Sequence, residues 1–337
     1  MESLIGRYPR ALPLWALRLL LAILLLFGSD ILLWTNPDDR SLPAWGVLII
    51  GYLALSTLML DLAARFRVRD VYGAMALFGI YGLLAAALLH PETALADAPR
   101  TIATRALGGH ATLGLYGFGL FLVLLKAPNR RYVWMLLGWS LWLGFYWGIW
   151  ARWSPDYSGY IDGAVSLETM LTAAGIVLAA ALAVYVIAAR IARAIVPDDL
   201  CLRQAEWWGL ILVLLLFFMG RAIEETLDPA AVPIIALLIA LSYAILWFHR
   251  SDYATPLLAH HLPPGSPRWL WIVLAAGIFA GSAAIAYELR LLDILGYSQY
   301  SFMELAFVTA GFVWYPLLTA VLGVRAVDNQ VRTGKLG

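Results

Sequence analysis

The chain has 337 residues, of which 62% are hydrophobic and only 13% charged, with a formal net charge of +1. A water-facing surface of that size needs more charge, so the class that fits is an integral membrane protein with lipid as solvent for most of its perimeter. The net charge says nothing about nucleic acid, but there is no basic run and no soluble module of useful size, so no nucleic-acid partner is expected. The single Cys201 excludes an intrachain disulfide and a cysteine-held metal cluster.

A spanning helix needs about 20 apolar residues. Ten runs reach that length, and lipid offers no partner for a free amide, so all ten are predicted to be helices. The first, 11–33, follows Arg7 and Arg10. It is too long for a signal-peptide core and no small-x-small cleavage pattern follows, so it is expected to be retained. It carries Asp30 in LLLFGSDILLW, the acid set most deeply in an apolar run. Asp30 has no basic neighbour in sequence and is expected to find one on another helix, while Arg18 is expected to snorkel toward the cytoplasm.

The second run, 43–64, closes on Asp61 and Arg65, an i,i+4 pair. The third and fourth, 71–90 and 108–126, are flanked by His90 and His110. Two histidines at similar depth are haem-ligand types. This pair lies outside the apolar core and recurs nowhere in the second copy, so haem is not expected; the cofactor, if any, is unknown from the sequence. GLYGFG, from Gly114, sits inside the fourth run rather than between strand and helix, so it reads as helix packing and not a nucleotide loop.

The fifth run, 132–153, belongs to RYVWMLLGWSLWLGFYWGIWARW, with six tryptophans. On a helical wheel Trp139, Trp142, Tyr146, Trp147, Trp150 and Trp153 share one broad face. Ser140, Gly144 and Gly148 lie opposite at four-residue spacing, which lets another helix approach closely. The small face is predicted to pack into the bundle. Trp150 and Trp153 suit the headgroup layer. The deeper Trp139, Trp142, Tyr146 and Trp147 form either plain packing or a face for a bound lipid, pigment, quinone or partner subunit.

The sixth run, 166–190, carries Glu168 near its start. The seventh, 206–223, ends in MGRAIEETLDP, where Arg221 can pair with Glu224 or Glu225. The eighth is 230–249; His249, and His260 and His261 in the proline-rich loop beyond, read as solvated. The ninth, 269–288, ends at Glu288 and Arg290, and the tenth, 301–324, carries Glu304.

Loop charge alternates. Sixteen basic residues, including Arg65, Arg67, Arg69, Arg130, Arg131, Arg203, Arg250 and Arg325, fall on one side. Six (Arg40, Arg100, Arg105, Arg152, Arg221, Arg290) fall on the other. This bias predicts both termini in the cytoplasm of a bacterial cytoplasmic membrane.

Two segments keep register: Arg131 with Arg268, Trp134 with Trp271, Gly144 with Gly281, and, after one gap, Glu168 with Glu304 and Gly175 with Gly311. Asp70-Val-Tyr-Gly and Glu206-Trp-Trp-Gly extend the match. The predicted organisation is therefore a helix pair (1–70), parallel four-helix copies at 71–205 and 206–324, and a tail at 325–337. Gly277 and Gly281 preserve the small face in the second copy, whereas the tryptophans are specific to the first.

No hydrolase, phosphate-binding or zinc-protease motif is present, so no catalytic or metal residue is assigned and an enzyme is not the leading expectation. The leading expectation is a transporter or ion-conducting protein with an outward-facing acidic vestibule. Its substrate or ion would meet Glu168, Glu304, Asp30, Arg221, Glu224 and Glu225. The alternatives are a subunit of a larger, quinone- or pigment-linked complex docking on the tryptophan face, and a lipid-modifying enzyme using the outer acids with Arg152, Arg221 and Arg290.

Overall fold

A computed structural model describes residues 11–33, 40–95, 97–126, 130–152, 155–156, 159–160, 165–224, 226–250, 255–265, 269–289 and 299–332. Ten long helices form, one for each apolar run: α1 (Ala11–Leu32), α2 (Leu42–Arg65), α3 (Val71–Leu88), α4 (Ile102–Leu125), α5 (Arg130–Arg152), α6 (Leu167–Ile191), α7 (Gln204–Ile223), α8 (Ala231–His249), α9 (Trp269–Leu289) and α10 (Gln299–Arg332). Among the described residues, nine of these carry a stretch long and apolar enough to cross a membrane. The protein is therefore a multi-pass helical membrane protein. Two helices exceed expectation: α4 starts at Ile102 rather than 108, and α10 runs on to Arg332.

The exception is α5, whose tryptophans and arginines lower its hydropathy. Packing direction shows how it runs. Gly73 and Gly79 of α3 lie against His249 and Ser242 of α8, so α3 and α8 are antiparallel. Likewise Met75 of α3 meets Trp314 of α10, and Asp70 meets Arg325. Helices three, eight and ten alternate in this way only if α5 also traverses the bundle. Within the pair, Gly144 meets Phe279, Gly148 meets Ala283 and Arg152 meets Tyr287, so α5 runs parallel to α9 over the same depth. The start of α1 and the end of α10 consequently lie at one end of the bundle.

The start and stop signals are local. Ser41, Asp70 and Ser166 cap α2, α3 and α6, each accepting from a backbone amide three residues on. Helices α1 to α4 form the core, with at least two thirds of each apolar stretch buried. By contrast α7, 6% buried, lies at the periphery.

The small face of α5 packs as predicted. A Cβ at Gly144 or Gly148 would strike the Phe279 or Ala283 carbonyl of α9. The second half of that expectation is corrected. Gly277 and Gly281 have nothing within 4 Å of an added Cβ, because α9 offers Phe279 and Ala283 instead. The small face of α5 therefore meets a face of α9 that carries Phe279 and Ala283.

Candidate functional site

Two of the core helices are locally widened. Residues Phe27–Leu32 end α1 as a π-helix, and Ile102–Ala111 begin α4 as another. Such turns interrupt the regular ladder and cluster at functional sites. Asp30 lies on the first and His110 on the second, at the end of the bundle opposite the start of α1 and the end of α10.

Asp30 is fully enclosed and pairs with Arg40, which enters from the chain leading into α2. The predicted basic partner thus exists, but it comes from the adjoining connection and not from another helix. The second carboxylate oxygen, Oδ2, makes no hydrogen bond, and His90 Nε2 stands 3.6 Å from it. His90 Nε2 hydrogen-bonds the Tyr52 hydroxyl at 2.9 Å, and Ser29 Oγ hydrogen-bonds the Tyr81 hydroxyl at 2.7 Å.

His90 also stacks on His110, with ring centroids 4.9 Å apart and planes 12° from parallel. His110 is completely buried, and neither ring nitrogen has a hydrogen-bond partner. A buried polar group left unpaired costs about 1–3 kcal/mol, so a histidine kept there is unexplained by stability.

This arrangement decides several chemistries. The stacked rings leave no space for a haem between the two histidines. Among the described residues, no three His, Cys, Asp or Glu side chains are grouped to hold a metal ion. The carboxylate and the Tyr52 hydroxyl approach the same nitrogen of His90, so this ring cannot relay between them as the base of a nucleophilic triad. What remains is an enclosed carboxylate with a cation on one side and the stacked imidazoles on the other. Such a group can change its proton content and thereby the balance of charge inside the bundle.

The other predicted residues lie elsewhere. Glu168 is exposed in the first turn of α6, where the helix N-terminus favours an acid. Glu304 lies in α10 with its side chain outside the described residues; Glu225 and Arg290 are themselves outside them. Arg221 pairs with Glu224 at 2.8 Å and Glu92 at 3.4 Å, and donates to the Leu88 and Leu89 carbonyls at 3.0 and 3.1 Å. It thereby caps the C-terminal carbonyls of α3. Arg152 is buried, donating to the Tyr287 carbonyl at 2.8 Å. Both arginines donate to backbone carbonyl oxygens.

The tryptophan face divides. Trp147 and Trp150 turn inward and donate their indole N–H groups to the Ile31 and Leu33 carbonyls at 2.9 and 3.0 Å. Those carbonyls close the π-helix that carries Asp30, where the widened turn leaves acceptors free. Trp150 is therefore enclosed among helices rather than exposed on the bundle surface. Tyr146 is half-buried beside Phe307, while Trp139 and Trp142 are 49% and 62% exposed.

Two further expectations are corrected at the opposite end. Arg18 does not snorkel: it is buried, pairs with Glu206 at 3.1 Å and lies over Trp15. His249 is not solvated, but bonds Asp70 at 3.1 Å beside Arg325, which contacts the same carboxylate at 2.6 Å. Burial alone would raise the Asp70 pKa, yet the bonds from His249, the Gly73 amide and Arg325 outweigh it and hold the carboxyl well below its ordinary range. Asp61 holds Arg65 as predicted, at 2.8 Å, and also accepts the Leu202 amide at 2.7 Å.

Comparison with known proteins found no matching family model, no matching curated protein and no matching solved structure.

Proposed function

We propose that this protein is a proton-conducting or proton-coupled transport protein of the cytoplasmic membrane, with both termini in the cytoplasm and Asp30 as its proton-accepting group near the outer face. The observation that carries the reading is the enclosed Asp30 carboxylate on a π-helical turn, flanked by Arg40, His90 and the unpartnered His110. Intramembrane acids held this way mark proton and ion paths in transport proteins. Neutralising Asp30 would release Arg40, which lies at the boundary of the bundle and can move into water. The inner-end clasp of Asp70, His249 and Arg325 would then act as the opposite closure.

The test is proton flux into liposomes under an imposed potential, followed with a trapped pH dye. Wild type is expected to exceed empty vesicles clearly. Asp30→Asn combined with Arg40→Gln, which removes the pair without stranding a charge, is expected to lower flux to background. Flux in the double variant equal to wild type would reject the assignment.

A second reading has its own observation. Trp134, Trp139 and Trp142 form an exposed aromatic patch on α5, which suits a partner membrane subunit. A photo-crosslinker at Trp139 that captures only lipid in the native membrane would remove it.

A further inference from the structure

A narrow apolar cavity of about 280 Å³ runs among α1, α4, α5, α6 and α9. Its floor is made of buried side chains, among them Leu24, Ala174, Ala181, Tyr185, Ala275 and Phe279. The wall is almost wholly hydrocarbon, with Tyr116, Ser140 and Tyr185 as its polar residues. Water needs two to four polar partners to settle in such a space. Protein interiors are close-packed, and a void of this size left empty is destabilising. The cavity lies within membrane-spanning helices and is open along one side, so hydrocarbon from the bilayer is the filling available.

The shape selects among hydrocarbons. Along α6 the cavity extends from Leu171 to Tyr185, fourteen residues or about 21 Å of helix. One leaflet of the hydrocarbon core is about 15 Å thick. A chain filling the cavity therefore passes the midplane, which an acyl chain confined to its own leaflet does not do. Alanine and glycine recur along the wall (Ala174, Gly175, Ala181, Ala276, Ala280), leaving recesses for side methyl groups.

We propose that this cavity binds the polyisoprenoid chain of a membrane lipid. The site stands apart from Asp30: Phe27, on the same π-helical turn, faces the cavity and packs on Phe279 of α9, whereas Asp30 faces Arg40 and His90. The inference does not depend on proton transport. A quinone and a polyprenyl phosphate both offer the required chain.

The experiment uses purified full-length protein in mixed micelles with two benzophenone-tagged probes, geranylgeraniol and a palmitoyl phosphatidylcholine. The prenyl probe is expected to label α6 and α9 peptides at least five-fold more than the acyl probe. Ala276→Trp and Ala280→Trp, at the cavity rim, are each expected to cut that labelling at least five-fold, while Leu212→Trp on exposed α7 leaves it unchanged. Competition by a long-chain quinone or by polyprenyl phosphate identifies the source of the chain. Equal labelling by the two probes would overturn the proposal. So would rim variants, monodisperse and as heat-stable as wild type, that label like wild type.

Discussion

At the scale of single residues, the cost of burying charge orders the expected effects. Removing one partner of a buried pair strands the other, at about 3–5 kcal/mol, whereas replacing both by neutral groups is close to neutral. Arg40→Gln is therefore expected to lower the thermal midpoint in detergent sharply, and adding Asp30→Asn to restore most of it. His110→Leu should behave in the opposite way. It removes two unpartnered nitrogens, so thermal stability is expected to hold or rise while proton flux falls; loss of stability without loss of flux would show the ring to be structural. Asp70 carries a pH dependence. Its folded-state pKa lies below the ordinary carboxylate value of about 4. Its contribution is thus present above pH 4 and is lost as pH falls toward the folded value. The stability gap between wild type and Asp70→Asn is expected to be full at pH 7 and to narrow below pH 4, as followed by thermal melts across that range. Asp30 was legible as a site candidate from sequence, and His90 and His110 only as a pair at similar depth. Arg40, His90 and His110 lie beside connections, where polar residues are ordinary, and nothing in linear order reports that the folded chain encloses them.

At the scale of elements, α5 is the most informative helix. Its tryptophans looked like one face with one role, yet Trp147 and Trp150 satisfy carbonyls of α1 while Trp139 and Trp142 remain outside. A wheel places residues within a broad arc; which part of the arc meets α1 depends on where α1 stands. The small stripe opposite was readable, because a Cβ-free approach is a property of the helix itself. Gly144→Leu and Gly148→Leu are each expected to destabilise by about 1–3 kcal/mol through overpacking against α9. Gly277→Leu and Gly281→Leu, with open space at both positions, are expected to stay within about 0.5 kcal/mol. Denaturation in mixed micelles separates the two pairs.

At the scale of the whole molecule, direction of packing fixes the parity of crossings. Antiparallel contacts of α3 with α8 and α10 require α5 to count as a traverse. Reporters fused at the two termini are accordingly expected on the same face of the membrane. Excising residues 130–152 with the following connection should move the C-terminal reporter to the other face; opposite faces in the intact protein would contradict the ten-helix arrangement. Ion pairs at the end shared by the first and last helices join α1 to α7 (Arg18 with Glu206) and α3 to α8 and α10 (Asp70 with His249 and Arg325).

The sequence by itself determined the membrane class, the ten helices and most of their limits. Each of these follows from a local quantity: the length of an apolar run, a capping side chain, or the charge of a connection. Tertiary structure alone decided which polar groups became a site. Asp30, Arg40, His90 and His110 are spread over eighty residues of chain, and two π-helical turns aim them at one another. Likewise a cavity walled by five helices leaves no mark on any one of them, since apolar residues facing a void and apolar residues facing lipid read the same. Burial depends on neighbours, and neighbours are set by packing rather than by the order of residues.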